Sequence, residues 1–201
     1  MTSRFEQAIA QFDAAHSEDP GSEVVDGAAQ PKELLYARRM SACLEALVPG
    51  ASEPVRLAVR CQHIRRWSIA RSAYPMNVAG YRKWRSDEAR SHAETAGRIL
   101  EKIGYDDSTV RRVQALVKKE RLKQDPEAQL LEDVSCLVFL ENHLAEFATR
   151  HDDETLVRVL RKTWKKMSAA GHQAALGLKL APGLRAIVER AVVEAQQPGP
   201  T

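Results

Sequence analysis

The chain has 201 residues, 44% of them hydrophobic and 28% charged, with a formal charge of +3, the profile of a soluble globular protein built on one sizeable core. The mild charge argues against a nucleic-acid partner held by bulk electrostatics, and no apolar run approaches the ~20 residues that would span a membrane. Cys43, Cys61 and Cys136 contain no C-x-x-C pair, and the N-terminus carries no apolar leader, so a disulfide framework is not expected and a reducing, cytoplasmic setting is.

Apolar spacing is helical almost throughout, and no stretch alternates as a strand should. A first amphipathic helix is predicted over Arg4 to Ala15, within an N-terminal segment 1–17. Residues 18–31, acidic and rich in Gly and Pro, read as a loop. Residues 32–196 read as one helical domain, and 197–201 as a flexible tail. Within that domain a helix is predicted from Lys32 to Leu47, stopping at Pro49-Gly50. Ser52 is a candidate N-cap for a helix through Trp67, with Pro54 in its first turn. Ser68 to Val78 is a predicted loop. A long helix follows from Ala79 to Ile103, with Gly104 as its C-cap, and then one from Asp107 or Ser108 to Leu122. Asp125-Pro126-Glu127 is a start signal for a helix reaching Thr149. Asp152 or Asp153 opens a helix through Met167. A short turn is expected within Gly171 to Leu178, and a last helix over Leu184 to Glu194. The expected fold is all-α, a single-domain helical bundle.

Four groups of residues on different helices have the chemistry of metal ligands: His63, His92, Glu120, and the pair Glu132-Asp133. Imidazole nitrogen and carboxylate oxygen together suit Mn, Fe, Zn or Mg. A hydrogen-bonded core histidine and a solvated charged run are the plainer readings of the same residues. The segment Arg60 to Trp67, with Arg71, Tyr74 and Arg85 after it, concentrates cations and aromatics. Guanidinium groups fit phosphate oxygens, so Arg38, Arg66, Arg71 and Arg85 are candidate phosphate contacts, with surface pairing to acids as the alternative. Trp67, Tyr74 and Trp84 either stack on a ligand base or pin the loop to the core. Lys162 and Lys166 either complement a helix dipole or reach a phosphate. His172 is a candidate general acid or base.

The order of these residues resembles the HD superfamily of metal-dependent phosphohydrolases over Glu33 to Glu141, through Gln62-His63-Ile64-Arg65-Arg66, Ser91-His92-Ala93-Glu94 and Leu131-Glu132-Asp133-Val134-Ser135. That resemblance implies an HD-like bundle with a divalent metal held by His63, His92 and Glu132 or Asp133. Glu120 would be a further ligand or base, and the substrate a small phosphorylated metabolite or nucleotide. Ile64 stands where the family has the Asp of its His-Asp pair, Tyr36 where it has a first His, and Ser135 where it has a last Asp. The alternative implied by those departures is a non-catalytic protein that binds an anion or a partner on the same scaffold.

A closer similarity is to a family of bacterial and fungal proteins known as domain of unknown function 4202. It is carried by Glu33 to Ser41, Gln62 to Trp67, Tyr74-Pro75, Gly80-Tyr81 with Trp84-Arg85, Leu131 to Glu141 and Arg161 to Ser168. It spans nearly the whole chain and implies no activity.

Overall fold

The computed structural model describes residues 2–196, so the predicted tail at 197–201 lies outside the described residues. Among the described residues the protein is all-α apart from one small hairpin. Its chain groups into two compact units, 1–131 and 132–201.

In the first unit, α1 (Arg4–Ser17) begins with a capping box, in which Ser3 and Glu6 satisfy each other's backbone donors. It buries Ala8, Phe12, Ala15 and His16. The predicted loop that follows is instead a β-hairpin, β1 (Ser22–Val25) paired antiparallel with β2 (Ala28–Pro31). Asp26 and Gly27 supply its two-residue turn, both with positive φ (52° and 78°), the geometry that Asp-Gly favours. Asp19 ties the hairpin to α2 (Lys32–Leu47), accepting from the amides of Gly21 and Glu33 at 2.8 and 2.9 Å.

The next helix, α3 (Glu53–Cys61), is capped by Ser52 as expected but ends six residues before the predicted Trp67. The chain turns at Arg65, held in a left-handed conformation with φ 55°, and makes two short 3₁₀ turns, Arg66–Ser68 and Arg71–Ala73. The long helix α4 (Val78–Ile103) starts at the Asn77 cap and stops at Gly104, whose φ is 90°. Its buried stripe runs Gly80, Trp84, Glu88, His92, Ala96, Leu100. Two ionisable residues thus occupy positions where helical spacing calls for apolar ones. Asp106 caps α5 (Asp107–Val117), which is shorter than predicted. These helices pack α1 on α2, α3 and α4, and α5 on α3 and α4, around Phe12, Met40, Leu57, Ile64, Leu100 and Leu116. Arg112 clamps the start of α6 (Pro126–Val138) through Asp125 and Glu127.

The second unit takes α6 onward from Glu132. The predicted continuous helix to Thr149 is interrupted by a π-helical turn, Phe139–His143, before α7 (Leu144–Ala148). The helices α8 (Asp153–Trp164) and α10 (Pro182–Gln196) pack together, joined by Arg161 and Glu194 at 3.3 Å. The predicted short turn is a full helix, α9 (Ala169–Leu176), capped by Ser168. No described helix is long and apolar enough to cross a membrane.

Candidate functional site: a cationic cleft around two neutral histidines

The first unit contains a cleft of about 480 Å³, within the size range of small-molecule sites. The turn after α3 contributes Gln62 and His63, α4 contributes Arg85, Glu88, Arg90 and His92, and the end of α5 contributes Lys118 and Lys119.

His92 is held from behind. Its Nδ1 lies 2.8 Å from the carbonyl oxygen of Ile64, so Nδ1 carries the proton and donates, which leaves Nε2 as the ring's acceptor. Burial, with Arg66 and Arg85 nearby, lowers its pKa to about 4, so the imidazole is neutral at pH 7. His63 lies 6.0 Å away, centroid to centroid. Tyr36 of α2 stacks on it at 4.4 Å and 9°. Arg66 Nη1 sits 3.3 and 3.4 Å from its two nitrogens, a near-equal spacing that puts the guanidinium over the ring rather than at one lone pair. Burial, then the charges of Arg66, Arg85 and Lys119, hold the His63 pKa well below its usual value.

Two carboxylates complete the cluster. Glu33, placed by the Asp19 bond to its amide, lies 3.6 Å from His63 Nδ1. Burial raises its pKa to about 7, opposed by Arg66 and reinforced by Asp19 and Glu88. Glu88 is 2% exposed. Its oxygens are 3.5 Å from Arg66 Nε and 3.8 Å from Arg85 Nη1, and among the described residues neither oxygen has a hydrogen-bond partner. Burial raises its pKa, with the two arginines pulling it back.

Lys119 reaches this cleft from a constrained backbone. Its φ is 55°. Its amide donates to Leu116 and that of Glu120 to Ala115, at 2.9 and 3.0 Å. That is a Schellman end to α5 with lysine in the place that usually holds glycine.

Of the sequence-derived candidates, His63, His92, Arg66 and Arg85 come together here. Arg71 does not line the cleft. Its guanidinium donates to the carbonyls of Tyr74 and Pro75 at 3.0 and 2.9 Å, closing the loop before α4. Gly80 fits that closure, because a Cβ there would stand 2.1 Å from the Pro75 carbonyl oxygen. Tyr74 donates to Asp87 at 2.9 Å, and Trp84 donates to the Ile69 carbonyl at 2.9 Å. Trp67 is half-buried in the first 3₁₀ turn. Arg38 is exposed and donates to Gln30, and Glu120 is exposed and paired with Lys118 at 2.6 Å.

The remaining candidates belong to the second unit. Asp133 accepts from the amide and hydroxyl of Ser168 at 2.8 and 2.5 Å. Glu132 is buried, 3.6 Å from Lys166 Nζ. Lys162 is exposed on α8. His172 stacks on Trp164 at 3.8 Å and its Nε2 donates to the Trp164 carbonyl at 2.8 Å. Among the described residues no group of three or more His, Cys, Asp or Glu is arranged to hold a metal ion. The donor set therefore does not fit the expected metal.

Glu33, Glu88, Tyr36 and Lys119 were not among the sequence-derived candidates. The signal for Glu88 was its spacing, four residues after Trp84 and four before His92 on a buried face.

The molecule is thus an all-α protein whose first unit carries a cationic cleft walled by two neutral histidines and a buried glutamate. Residues 6–188 match the family described as Domain of unknown function (DUF4202), and the chain belongs to that family. Neither a curated protein nor a solved structure matches it.

Proposed function

We propose that the first unit binds a small phosphorylated molecule in this cleft. The observation that carries the reading is the gathering of Arg85, Arg90, Lys118 and Lys119 on one cavity; Arg90 and Lys118 are each held by an exposed surface pair, with Asp87 and Glu120, of the kind an anion readily displaces. The neutral His63 and His92 add uncharged donors and acceptors suited to phosphate or ester oxygens. On an HD-like reading of the fold, Tyr36 and Ile64 stand at two ligand positions. Tyr36 is stacked on His63 and the Ile64 side chain is 1% exposed in the core. Both facts favour binding over metal chemistry.

Calorimetric titration of the protein with inorganic phosphate and with simple phosphate esters tests this. Arg85→Gln is expected to weaken binding about tenfold, the scale of one charge-assisted hydrogen bond. If the unaltered protein takes up none of these compounds, the proposal fails.

Metal-dependent phosphoester hydrolysis is the second reading. The observation favouring it is His92, whose ring is oriented by a backbone carbonyl as metal-ligating histidines are. Elemental analysis after incubation with Mn, Zn, Fe and Mg discriminates. Stoichiometric metal lost in both His63→Ala and His92→Ala would support hydrolysis, and absence of uptake would remove it.

A further inference from the structure

The cleft is not built for phosphate alone. A site selected only for an anion gains nothing from a carboxylate in its wall, since like charges repel there. Glu88 nevertheless sits in that wall, 2% exposed. Neither of its two oxygens has a hydrogen-bond partner among the described residues. Arg66 and Arg85 stand 3.5 and 3.8 Å off, close enough to balance its charge but beyond good hydrogen-bonding distance. A buried carboxylate without donors is costly, and the cost is relieved by whatever brings an O–H or N–H to it. Arg85 is the element that can yield, because its side chain is 44% exposed.

We infer that the ligand is a phosphate ester of a polyol or sugar, with its phosphate against Arg85, Lys118 and Lys119 and a hydroxyl donating to Glu88. The two ends of such a molecule match the two kinds of group on the cleft wall. Its volume of about 480 Å³ accommodates a sugar phosphate with its hydration. A hydroxyl at Glu88 gives selectivity that cations alone cannot, since a site built to bond a substrate hydroxyl rejects analogues lacking it. The inference rests on the phosphate-binding reading above.

The test is calorimetric titration with ribose 5-phosphate, glycerol 3-phosphate, methyl phosphate and inorganic phosphate, on the unaltered protein and on Glu88→Gln. Methyl phosphate keeps the ester and lacks the hydroxyl. The expected result is that at least one of the two hydroxylated esters binds about tenfold or more tightly than methyl phosphate. In Glu88→Gln that advantage is expected to shrink several-fold, while inorganic phosphate binds as well as before or better because a negative charge is gone. Equal affinity of all four compounds for the unaltered protein would overturn the inference and leave phosphate binding intact. Binding of none would overturn both together. The comparison among ligands on the unaltered protein stands even if Glu88→Gln does not fold.

Discussion

His92 and Ile64 are joined by a buried hydrogen bond of 2.8 Å from the imidazole Nδ1 to the backbone carbonyl. The bond fixes one tautomer of His92 and ties the turn after α3 to the middle of α4. The side chain of Ile64 meanwhile anchors the same turn in the core. The amide nitrogen of an asparagine reaches roughly where Nδ1 stands, so His92→Asn is expected to keep the bond. His92→Ala leaves both a small cavity and an unpaired carbonyl. Urea denaturation is expected to show His92→Ala about 1–2 kcal/mol less stable than His92→Asn. Equal losses would mean that this bond contributes little and that the ring is held by packing.

Glu33 sets a pH dependence of opposite sign to that of the histidines. Its folded-state pKa is raised from 4.5 to about 7 by burial, with Asp19 and Glu88 reinforcing, Arg66 opposing and His63 Nδ1 3.6 Å away. Between those values the folded chain binds more protons at Glu33 than the unfolded chain does. Its contribution to stability is therefore present below about pH 4.5 and lost as pH rises towards 7. His63 and His92, both lowered, contribute in the other direction, adding stability as pH rises through the same window. Glu33→Gln removes only the first slope. The variant is expected to match the parent near pH 4.5 and to be more stable by about 1–3 kcal/mol at pH 8. Thermal melts across that range check it, and a difference that does not vary with pH would exclude a buried, titrating Glu33.

The helical part of this fold was readable because caps and apolar spacing agree. Lys32–Leu47 declares its end through Pro49-Gly50 and the long helix declares its end through Gly104, while the Asn77 cap, one residue ahead of Val78, is seen only in the structure. The hairpin was hidden because its strands are only four residues each and bury no residue fully, so Ser22-Glu23-Val24-Val25 and Ala28-Ala29-Gln30-Pro31 offer little apolar alternation to read. Its one legible signal is Asp26-Gly27, a pair that serves an irregular loop as readily as a hairpin. The early end of α3 has no Gly or Pro to announce it. It depends on a left-handed Arg65, whose guanidinium pairs with Glu18 at 2.7 Å, a long-range contact. At the site, His63, His92, Arg66 and Arg85 were legible as residue types, but Glu88 was masked by the charged run Arg85-Ser86-Asp87-Glu88. Arg71 and Tyr74 looked like ligand contacts because their loop-closing partners, backbone carbonyls and Asp87, cannot be seen in a pattern of side chains.

In the second unit, Asp133 and Gly171 are complementary. Asp133 bonds the backbone and hydroxyl of Ser168, whose hydroxyl in turn accepts from the Gly171 amide at 3.1 Å. A Cβ on residue 171 would stand 2.7 Å from the Asp133 carboxylate. Gly171→Ala is expected to cost about 1–3 kcal/mol by overpacking. Asp133→Ala, which removes the acceptor of two half-buried Ser168 donors, is expected to cost about 1–3 kcal/mol. With the carboxylate gone the methyl has room, so the double variant is expected to be more stable than the sum of the two losses by about 1 kcal/mol or more. Additive losses would show that the alanine clashes with something other than Asp133.

Lys119 separates the demands of fold and function. Its φ of 55° ends α5 in a Schellman turn that glycine adopts without strain. Lys119→Gly is expected to raise stability by about 0.5–1.5 kcal/mol, although it enlarges the freedom of the unfolded chain. Lys119→Ala keeps the strained backbone and removes the amine with its contacts, so it is expected to be no more stable than the parent. If the lysine is kept for the cleft, both variants lose phosphate affinity, by about tenfold at low salt, and only the glycine variant becomes more stable. Paired denaturation and titration experiments distinguish this from a structural role. A glycine variant that binds phosphate normally would show that the ammonium group is not what holds the anion. One that is less stable than the parent would show that the lysine side chain supports the turn through contacts of its own.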